Sequence, residues 1–379
     1  MAGVYIHIPF CKKKCPYCDF LSYTNCDSNK IEAVLSAIEK EIELWAKSPQ
    51  IKSLTFSTIY IGGGTPSLVE ERYLKRIVKK ARSFLHFTKD IEFSIEANPE
   101  SLTHSWLESL VELGLTRISI GVQDLTEKGL KVLGRIHTYK DALSAIELAK
   151  SFKNLDTSVD IIYNWPGQNL KDLETSLSLL LALSPQHISA YELNIEPKTR
   201  FYALYKRGRL LLQKEDKAEE IYNYLLEALR KQGFNRYEIS NFSLPNHECV
   251  HNINYWENGP YLGIGPGAVS FLPPVRGKNP SSLTKYLKGV ESSNVPFWAE
   301  REELDNEARF RESVVLALRM MKGFNVSYME KKWGFNAFKY YGNKIFMLCD
   351  YGLLKVDNDQ IFLSQKGIRL SNLVFRELV

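Results

Sequence analysis

Strand and helix patterns alternate along roughly the first half of this chain of 379 residues. Strand patterns rich in β-branched and aromatic residues occupy residues 4–8, 58–61, 91–97, 117–122, 157–163 and 187–193. Apolar residues at helical spacing occupy the stretches between them, at 29–45, 70–85, 106–113, 142–152 and 173–183. Such alternation implies right-handed crossovers and a parallel sheet. We therefore predict an α/β protein with a partial six-stranded (β/α)6 barrel, because six units are too few for the closed eightfold barrel.

Polar or glycine-rich residues follow the ends of these strand patterns. They are a cysteine-containing loop after the first strand and then Gly63, Gly64, Thr65, Glu96, Gln123, Asp160 and Asn194. Ligands of parallel α/β sheets bind at the carboxyl ends of the strands. We therefore expect these residues to converge on one mouth, with the cysteines at its rim.

Three cysteines, Cys11, Cys15 and Cys18, lie within eight residues in a Cys-x3-Cys-x2-Cys pattern. Three thiolates on one loop can bind three irons of an iron–sulfur cluster and leave the fourth iron open to a substrate. A structural zinc site would need a fourth ligand, and only Asp19 and Cys26 lie nearby. Unliganded core cysteines, a zinc knuckle and a disulfide are the alternatives at this point.

Composition restricts the class of protein and its surroundings. Hydrophobic residues make up 44% and charged residues 25% of the chain, which are ordinary values for a folded protein. The net charge of +5 is too weakly basic to indicate nucleic-acid binding. Six cysteines in so long a chain do not suggest a disulfide scaffold, and clustered thiols fit a reducing compartment, so we expect a cytoplasmic protein. We see no signal-peptide pattern and no apolar run of the roughly 18 residues that a membrane-spanning helix needs.

The pattern changes after residue 200, and we predict three domains: 1–200, 201–295 and 296–379. The middle one is interpreted as an α+β extension packed on the barrel, with a strand at 237–242. The last has helical patterns, beginning with 302–321, and a hairpin around Asp357, Asn358 and Asp359. Helices with a hairpin are typical of a small winged-helix-like module. Because no helix face carries a stripe of Lys and Arg, we favour a packing or lid role over nucleic-acid binding.

Several motifs together resemble known families. The cysteine loop after a first strand resembles radical S-adenosylmethionine (radical SAM) proteins. A closer resemblance, to the oxygen-independent coproporphyrinogen III oxidase family, is carried by residues 5–11, 62–67, 95–99, 119–123, 133–137, 160–163 and 166–168. Residues 251–256 resemble the His-Asn-x-x-Tyr-Trp motif of the HemW-type branch, whose members are haem chaperones. Phe20 indicates the same branch, because the oxidase branch carries an extra cysteine there. Asn164 and Trp165 depart from the family's Gly-Leu, which puts the local turn and the pocket volume in question.

The resemblance implies a 4Fe-4S cluster held by Cys11, Cys15 and Cys18, with SAM on the open iron. It also implies SAM contacts for Tyr5, Tyr17, Gly63, Gly64, Thr65 and Glu96. Glu96 would accept hydrogen bonds from the ribose, and the glycines would bring backbone amides close to the methionyl end. Gln123, Arg135 and Asp160 match positions that bind a second SAM in the oxidase branch. Alternatively, Arg135 and Asp160 pair with each other.

The same resemblance makes His251 the candidate haem ligand, since imidazole is a common axial ligand. A structural hydrogen-bonding role is the alternative for His251, and Cys249 is a second candidate ligand. Lys12, Lys13 and Lys14 form either a solvated run or a docking patch for an acidic electron-transfer protein.

Two main hypotheses follow. The first is a haem chaperone that carries the cluster and SAM, binds haem and delivers it to haem-requiring proteins such as respiratory enzymes. The second is an enzyme, an anaerobic coproporphyrinogen III dehydrogenase, which Phe20 disfavours. A zinc-stabilised protein without redox chemistry is the third. Expected partners are haem, haem-accepting proteins and an acidic reductant, without nucleic acid or an integral membrane segment. A homodimer and membrane contact through partners are left open.

Overall fold

The computed structural model describes residues 1–295 and 297–379. The predicted first residue of the third domain, Pro296, lies outside the described residues. The first strands are β1 (Gly3–Ile8), β2 (Phe56–Gly63), β3 (Phe87–Ala97), β4 (Arg117–Gln123), β5 (Asp156–Tyr163) and β6 (His187–Glu192). The helices among them are α1 (Ser28–Ala46), α2 (Pro49–Lys52), α3 (Glu71–Phe84), α4 (His104–Val111), α5 (Glu127–Val132), α6 (Tyr139–Lys150) and α7 (Leu170–Ala182).

These strands form a parallel sheet in chain order. Each of β1 to β5 pairs in parallel with the next, and Gly3 lies opposite Thr58 where β1 meets β2. Helix α1 buries Val34 and Ile38 in the hydrophobic core that also contains Ile6 of β1. Because all six strands run the same way, their carboxyl ends share one edge of the sheet, here called the mouth. Their amino ends share the opposite edge, here called the base. The predicted α/β fold is confirmed.

The next part of the chain adds strands to both sides of this sheet. Its elements are α8 (Arg200–Lys206), α9 (Glu215–Lys231), β7 (Asn235–Arg236), β8 (Asn241–Ser243), α10 (Val250–Trp256), β9 (Tyr261–Ile264), β10 (Val269–Leu272), β11 (Val275–Lys278), α11 (Leu283–Ser292) and β12 (Glu300–Glu303). Strand β9 pairs in parallel with β1, and β8 pairs antiparallel with β6. Over the described residues the sheet has twelve strands, in the order β12-β11-β10-β9-β1-β2-β3-β4-β5-β6-β8-β7. It ends in two different edge strands, so the barrel is partial, as predicted.

The predicted strand at 237–242 is wrong in its first part. The chain turns between β7 and β8, and the turn is held by the Arg236 side chain, whose Nε donates to the carbonyl oxygen of Ile239 at 3.1 Å. The backbone N–H of Ser240 donates to the Glu238 carboxylate at 2.9 Å. These local hydrogen bonds compete with an extended conformation, and only Asn241–Ser243 joins the sheet.

The last part of the chain has its own hydrophobic core. It consists of α12 (Asn306–Ala317), β13 (Phe324–Asn325), α13 (Val326–Trp333), α14 (Ala337–Tyr341), α15 (Asn343–Asp350), β14 (Leu354–Asp357), β15 (Gln360–Leu363), α16 (Gln365–Arg369) and α17 (Ser371–Leu378). The predicted hairpin is present as β14 and β15, which pair antiparallel. The helix predicted over 302–321 begins later, because Glu300–Glu303 pairs with β11 and the Asp305 side chain caps the helix.

The hydrophobic cores bear on the predicted division into three domains. Leu262, Ile264 and Tyr286 belong to the same core as β1, so residues 201–295 share the core of the barrel. Phe310, Leu318 and their neighbours form a separate core. The division at the predicted boundaries stays a prediction. None of the helices in the described part of the chain is long and apolar enough to cross a membrane.

Candidate cofactor site

The cysteine loop leaves β1 at the mouth and is held at both ends. The backbone N–H of Cys11 donates to the carbonyl oxygen of Tyr23 at 3.0 Å, and that of Tyr23 donates to Pro9 at 2.6 Å. Further along, Phe201 of α8 donates its N–H to the carbonyl oxygen of Pro16 at 2.8 Å. These contacts fix the loop over the sheet and leave its thiols half-buried rather than enclosed in the core.

The thiols of Cys11, Cys15 and Cys18 are free and unbridged. Burial raises the pKa of Cys11 and raises that of Cys18 to about 11, so these thiols must lose a proton before they bind iron. Throughout residues 1–295 and 297–379, no three Cys, His, Asp or Glu side chains are arranged to hold a single metal ion. A cluster places its thiolates on different irons, so its ligands need not converge on one point.

A cavity of about 360 Å³ opens beside the loop, a size within the range of small-molecule sites. The structure brings a large share of the predicted site residues together on its walls: Cys11, Cys15, Tyr17, Cys18, Gly63, Gly64, Thr65, Glu96, Gln123, Arg135 and Asp160. Asn194 lines it too, as expected from its place after β6. The strand ends therefore meet at one mouth, whereas the binding roles of these residues stay predictions.

The glycine turn after β2 has no room for side chains. A Cβ atom at Gly64 would lie 2.5 Å from the carbonyl oxygen of Phe10, and Gly63 has a φ of +114°, which disfavours any other residue. The N–H of Gly64 donates to the carbonyl oxygen of Ile8 at 2.8 Å. The turn thus packs directly against the start of the cysteine loop and presents backbone to the cavity.

Two half-buried carboxyl groups face the cavity. Glu96 accepts hydrogen bonds from the Tyr60 hydroxyl at 3.0 Å and from the Gly63 N–H at 2.9 Å. Burial, with a smaller contribution from the charge of Asp160, raises the pKa of Glu96 to about 7, although the two hydrogen bonds act to lower it. Asp160 accepts from the Ser119 hydroxyl at 3.0 Å, and burial raises its pKa to about 6.

Arg135 links two of the cysteines. Its Nη2 donates to Asn98 Oδ1 at 2.8 Å and to the carbonyl oxygen of Gly121 at 2.9 Å, and its Nη1 donates to Cys15 Sγ at 3.5 Å. Asn98 donates to Thr65 Oγ1 at 3.2 Å, and that hydroxyl donates to Cys11 Sγ at 3.5 Å. Arg135 Nε is buried without a partner. The alternative that Arg135 pairs with Asp160 is wrong, because no such ion pair exists in the described part of the chain.

Tyr5 and Tyr17, both predicted to contact SAM, occupy different positions. Tyr17 lines the cavity and packs on Phe201, with ring centroids 6.4 Å apart. Tyr5 lies outside the cavity walls, and its hydroxyl shares a hydrogen bond of 2.9 Å with His7 Nδ1. The other ring nitrogen of His7 bonds to the carbonyl oxygen of Leu21 at 2.9 Å. Tyr5 therefore braces the end of the cysteine loop through His7.

His251 lies at the base, on the opposite side of the barrel from the cysteines. Its Nδ1 bonds to Thr58 Oγ1 at 2.7 Å and its Nε2 to Tyr255 Oη at 2.9 Å. From Thr58 to Gly63 the strand rises about 16 Å towards the mouth. Burial lowers the pKa of His251 to about 3, so the ring is neutral. In this conformation neither ring nitrogen is free for iron. Haem ligation by His251 stays a prediction, and it requires one of these hydrogen bonds to break.

Helix α10, which carries His251, lies at the base. Glu92 accepts from the backbone N–H groups of Val250 and His251 at 3.0 and 2.9 Å, which anchors the start of the helix. Cys249 lines the deep end of the cavity, and its Sγ donates to Glu92 at 3.6 Å. Burial raises the pKa of Cys249, which keeps its thiol protonated.

The departure at Asn164 and Trp165 has a structural explanation. Trp165 is fully buried in a small hydrophobic cluster with Leu133 and Phe201, and its Nε1 donates to Asp124 Oδ2 at 2.8 Å. Asn164 adopts a φ of +59° and its side chain donates to Glu192 at 2.8 Å. Trp165 is absent from the cavity walls, so it does not reduce the pocket volume.

Sequence analysis missed the side chains that connect the predicted residues, chiefly Asn98 and Tyr60. Asn98 was visible only as part of a motif, and its polar character directly after a strand end was the available signal. Tyr60 reaches Glu96 from the neighbouring strand, a contact that depends on the register of β2 against β3.

The site fits the cofactors that the resemblance implied. Three half-buried thiols stand on one loop, a glycine turn leaves backbone exposed to the cavity, and Arg135 Nε has no partner. Residues 5–180 match the family model described as the Radical SAM superfamily. Fold and site together define a radical SAM protein, and this domain implies a 4Fe-4S cluster and SAM.

Comparison with relatives of similar length identifies the family to which the chain belongs within this class. The protein named "Heme chaperone HemW" from Bacillus subtilis is 34% identical, over 99% of this chain and 98% of its own length. The protein of that name from Lactococcus lactis is 35% identical, over 100% and 97%. The chain belongs to the HemW family. Among solved structures, the coproporphyrinogen III oxidase HemN of Escherichia coli superimposes with a TM-score of 0.85 at 23% identity, covering 100% of this chain and 89% of that one, which shows a common fold.

Proposed function

We propose that this protein binds haem and delivers it to haem-requiring proteins such as respiratory enzymes, and that it carries a 4Fe-4S cluster and SAM. The observation that carries the proposal is the likeness over the whole chain to proteins named "Heme chaperone HemW", at 34% and 35% identity. A cytoplasmic location and a homodimer stay predictions.

Cys11, Cys15 and Cys18 would hold the cluster. Arg135 donates to Cys15 and Thr65 donates to Cys11, so each of these thiolates would keep a hydrogen bond that stabilises its charge. When bound, the cluster and SAM supply one-electron chemistry at a sulfonium centre. Gly63 and Gly64 would offer their backbone to the methionyl end of SAM, as their place on the cavity wall supports.

Glu96 would accept hydrogen bonds from the SAM ribose, as its position on the cavity wall supports. Tyr60 and the Gly63 N–H orient its carboxyl group. Gln123, Arg135 and Asp160, which also line the cavity, would contact a second SAM. Gln123 ends β4 at the mouth, and Arg135 keeps a free Nε for an acceptor.

A second candidate function is that of an anaerobic coproporphyrinogen III dehydrogenase. The observation that favours it is the common fold with the E. coli oxidase. Phe20 counts against it, since it takes the place of the extra cysteine of the oxidase branch and its side chain is 63% exposed at the edge of the cavity. We therefore retain the haem chaperone as the better-supported function.

The test is a haem titration of the anaerobically reconstituted protein, followed by Soret absorbance. His251→Ala is measured in parallel, with His104→Ala as a matched control because His104 is an exposed histidine on α4. Saturable binding by the wild type and by His104→Ala supports the chaperone function, and absence of saturable binding overturns it. An anaerobic assay with coproporphyrinogen, reductant and SAM completes the test, since formation of protoporphyrinogen would favour the enzyme.

A further inference from the structure

A second depression lies on the outer side of the cysteine loop. Its volume is about 510 Å³, and Cys15 and Cys18 line it as well as the main cavity. Its charged lining residues are Lys13, Lys14, Lys131, Lys198 and Arg200. We call this surface the basic groove. The two cysteines thus form a thin wall between a ligand cavity and a second, outer surface.

The charge of the basic groove is segregated. The whole chain has 49 Lys and Arg against 44 Asp and Glu, whereas the groove has five cations and no Asp or Glu on its walls. All five side chains belong to exposed residues. None of them forms an ion pair within the described residues, where salt bridges elsewhere pair such cations as Lys128 and Arg276. The groove therefore has an uncompensated positive potential, which attracts anionic partners.

Three separate segments build the groove, so it is more than a run of lysines. Lys13 from the cysteine loop donates its Nζ to the carbonyl oxygen of Gly134, which follows α5, at 3.2 Å. Gly134 packs so closely on Pro16 that a Cβ atom there would lie 2.7 Å from the proline ring. Phe201, next to Arg200, binds Pro16 through its backbone N–H. The fold thus brings distant cations to the same side of the loop.

The floor of the groove is apolar. Val132, Phe201 and Leu204 lie between the cations. A small apolar centre surrounded by charges is the composition of a protein-binding surface in which electrostatics guide association and apolar contact holds the complex. The main cavity shares Lys13 and Lys14 with the groove, but carboxyl groups such as Asp19 and Glu196 also lie on its walls. The cavity is therefore of mixed charge, whereas the groove is basic.

We propose that the basic groove is the docking surface of an acidic electron-transfer protein that reduces the cluster. The proposal rests on the proposed binding of a cluster by Cys11, Cys15 and Cys18. The donor, a reduced flavin or iron–sulfur protein, loses one electron and the cluster gains it, and no bond is made or broken in this step. Because Cys15 and Cys18 face the groove directly, a docked donor has a short path to the cluster while the cavity stays free for SAM.

The test uses charge reversal at three positions outside the cysteine loop: Lys131→Glu, Lys198→Glu and Arg200→Glu combined. The matched control is Lys52→Glu, Lys89→Glu and Lys153→Glu combined, which changes the net charge equally. Those three lysines are exposed at the base and form no ion pair in the part of the chain that the structure describes. The probe is a reduced bacterial flavodoxin. Its affinity for the cluster-free protein is measured by titration at low and physiological salt, and its reduction of the reconstituted cluster by stopped flow.

We expect the groove variant to bind flavodoxin about tenfold to a hundredfold more weakly, with a reduced salt dependence, and the control to stay within about twofold. Dithionite, which needs no docking, should reduce the clusters of all three proteins at the same rate. Equal flavodoxin affinity in the groove and control variants would overturn the proposal. So would loss of binding to phosphatidylserine vesicles with unchanged reduction by flavodoxin, because the groove would then be a lipid surface. Failure of the proposed function can be told apart from failure of the docking proposal, because the wild type itself would then lack cluster absorbance or haem binding.

Discussion

The mouth and the base of the barrel contain similar residue types, but these residues differ in burial and in hydrogen bonding. At the mouth, three thiols are half-buried and unbridged, and Arg135 Nε has no partner. At the base, both ring nitrogens of His251 are hydrogen-bonded and the Glu92 carboxylate accepts from two backbone N–H groups. Cysteine and histidine thus occur at both ends of the barrel, but the cysteines of the mouth line an open cavity, whereas both ring nitrogens of His251 at the base already have partners.

This difference indicates which of the predicted residues are available for binding. A ligand can use an atom only if that atom has no partner or exchanges one at low cost, and a buried polar group is costly to leave unpaired. The mouth satisfies this condition, because its residues surround an open cavity. His251 at the base does not, because both of its ring nitrogens already have hydrogen-bond partners. We therefore expect substitutions at the mouth to affect cofactors and those at the base to affect stability.

The largest effect is expected from the loss of a thiol at the mouth. Cys15→Ala should lose nearly all of the iron and labile sulfide that the wild type takes up on anaerobic reconstitution, since two remaining thiolates cannot hold three corners of a cluster. Cys349→Ala is the control, because this half-buried cysteine lies far along the chain on α15. Wild-type iron content in Cys15→Ala would contradict the assignment of the mouth as the cofactor site.

At the base, His251→Ala should lower the free energy of unfolding by about 2 to 4 kcal/mol, because it leaves the hydroxyls of Thr58 and Tyr255 unpaired and opens a cavity. Haem affinity within about twofold of the wild type would assign His251 a structural role. Urea denaturation and the Soret titration measure the two quantities on the same preparation. A variant that is as stable as the wild type but does not bind haem would contradict a structural role for the base and would make His251 the haem ligand.

The two ends should also respond to pH with opposite signs. Glu96 has a folded pKa of about 7 against an ordinary value of 4.5, so the folded state holds the extra proton between these values and stability falls as pH rises. His251 has a folded pKa of about 3 against 6.5, so the unfolded state holds the extra proton there and stability falls as pH drops.

The two opposite changes of unfolding free energy with pH can be measured in the cluster-free protein by substituting each residue in turn. Relative to wild type, Glu96→Gln should gain about 1 to 2 kcal/mol in unfolding free energy from pH 5 to pH 7, since each unit of pKa difference corresponds to about 1.4 kcal/mol. His251→Gln should gain relative to wild type as the pH falls from 6.5 to 4. Glu127→Gln, at an exposed position on α5, should track the wild type throughout. Parallel slopes for Glu96→Gln and the wild type would show that this carboxyl group is not buried as the structure describes.

Much of the fold could be predicted from the sequence because its signals are local. The alternation of strand and helix patterns predicted β1 to β6. The parallel topology then predicted that Gly64, Glu96, Gln123 and Asp160 lie at one mouth, where the structure has them. Strand β9 was beyond this reasoning, because its pairing with β1 joins residues 258 positions apart, such as Gly3 and Tyr261. The orientation of His251 was likewise unpredictable, since its partner Thr58 lies on β2, 193 positions earlier in the chain. Side-chain partners of this kind are set by tertiary packing rather than by local pattern.

The smallest effects are expected from the loss of one threonine hydroxyl at each end of the barrel. Thr58 and Thr65 both place a hydroxyl next to a candidate ligand, His251 at the base and Cys11 at the mouth. Thr58→Val should cost about 1 to 2 kcal/mol of unfolding free energy, because it leaves a buried imidazole nitrogen unpaired. Thr65→Val should cost less than about 1 kcal/mol, since Asn98 keeps its hydrogen bond to Glu100 at 3.2 Å.

The cofactor should respond in the reverse order. Thr65→Val removes a hydrogen bond to a cluster thiolate, so the reduction potential of the reconstituted cluster should become more negative, whereas Thr58→Val should leave it unchanged. Urea denaturation and a spectroelectrochemical titration of both variants measure the two effects. If Thr58→Val shifted the potential as much as Thr65→Val does, the base would be coupled to the cluster, and the separation of a cofactor end from a structural end would fail.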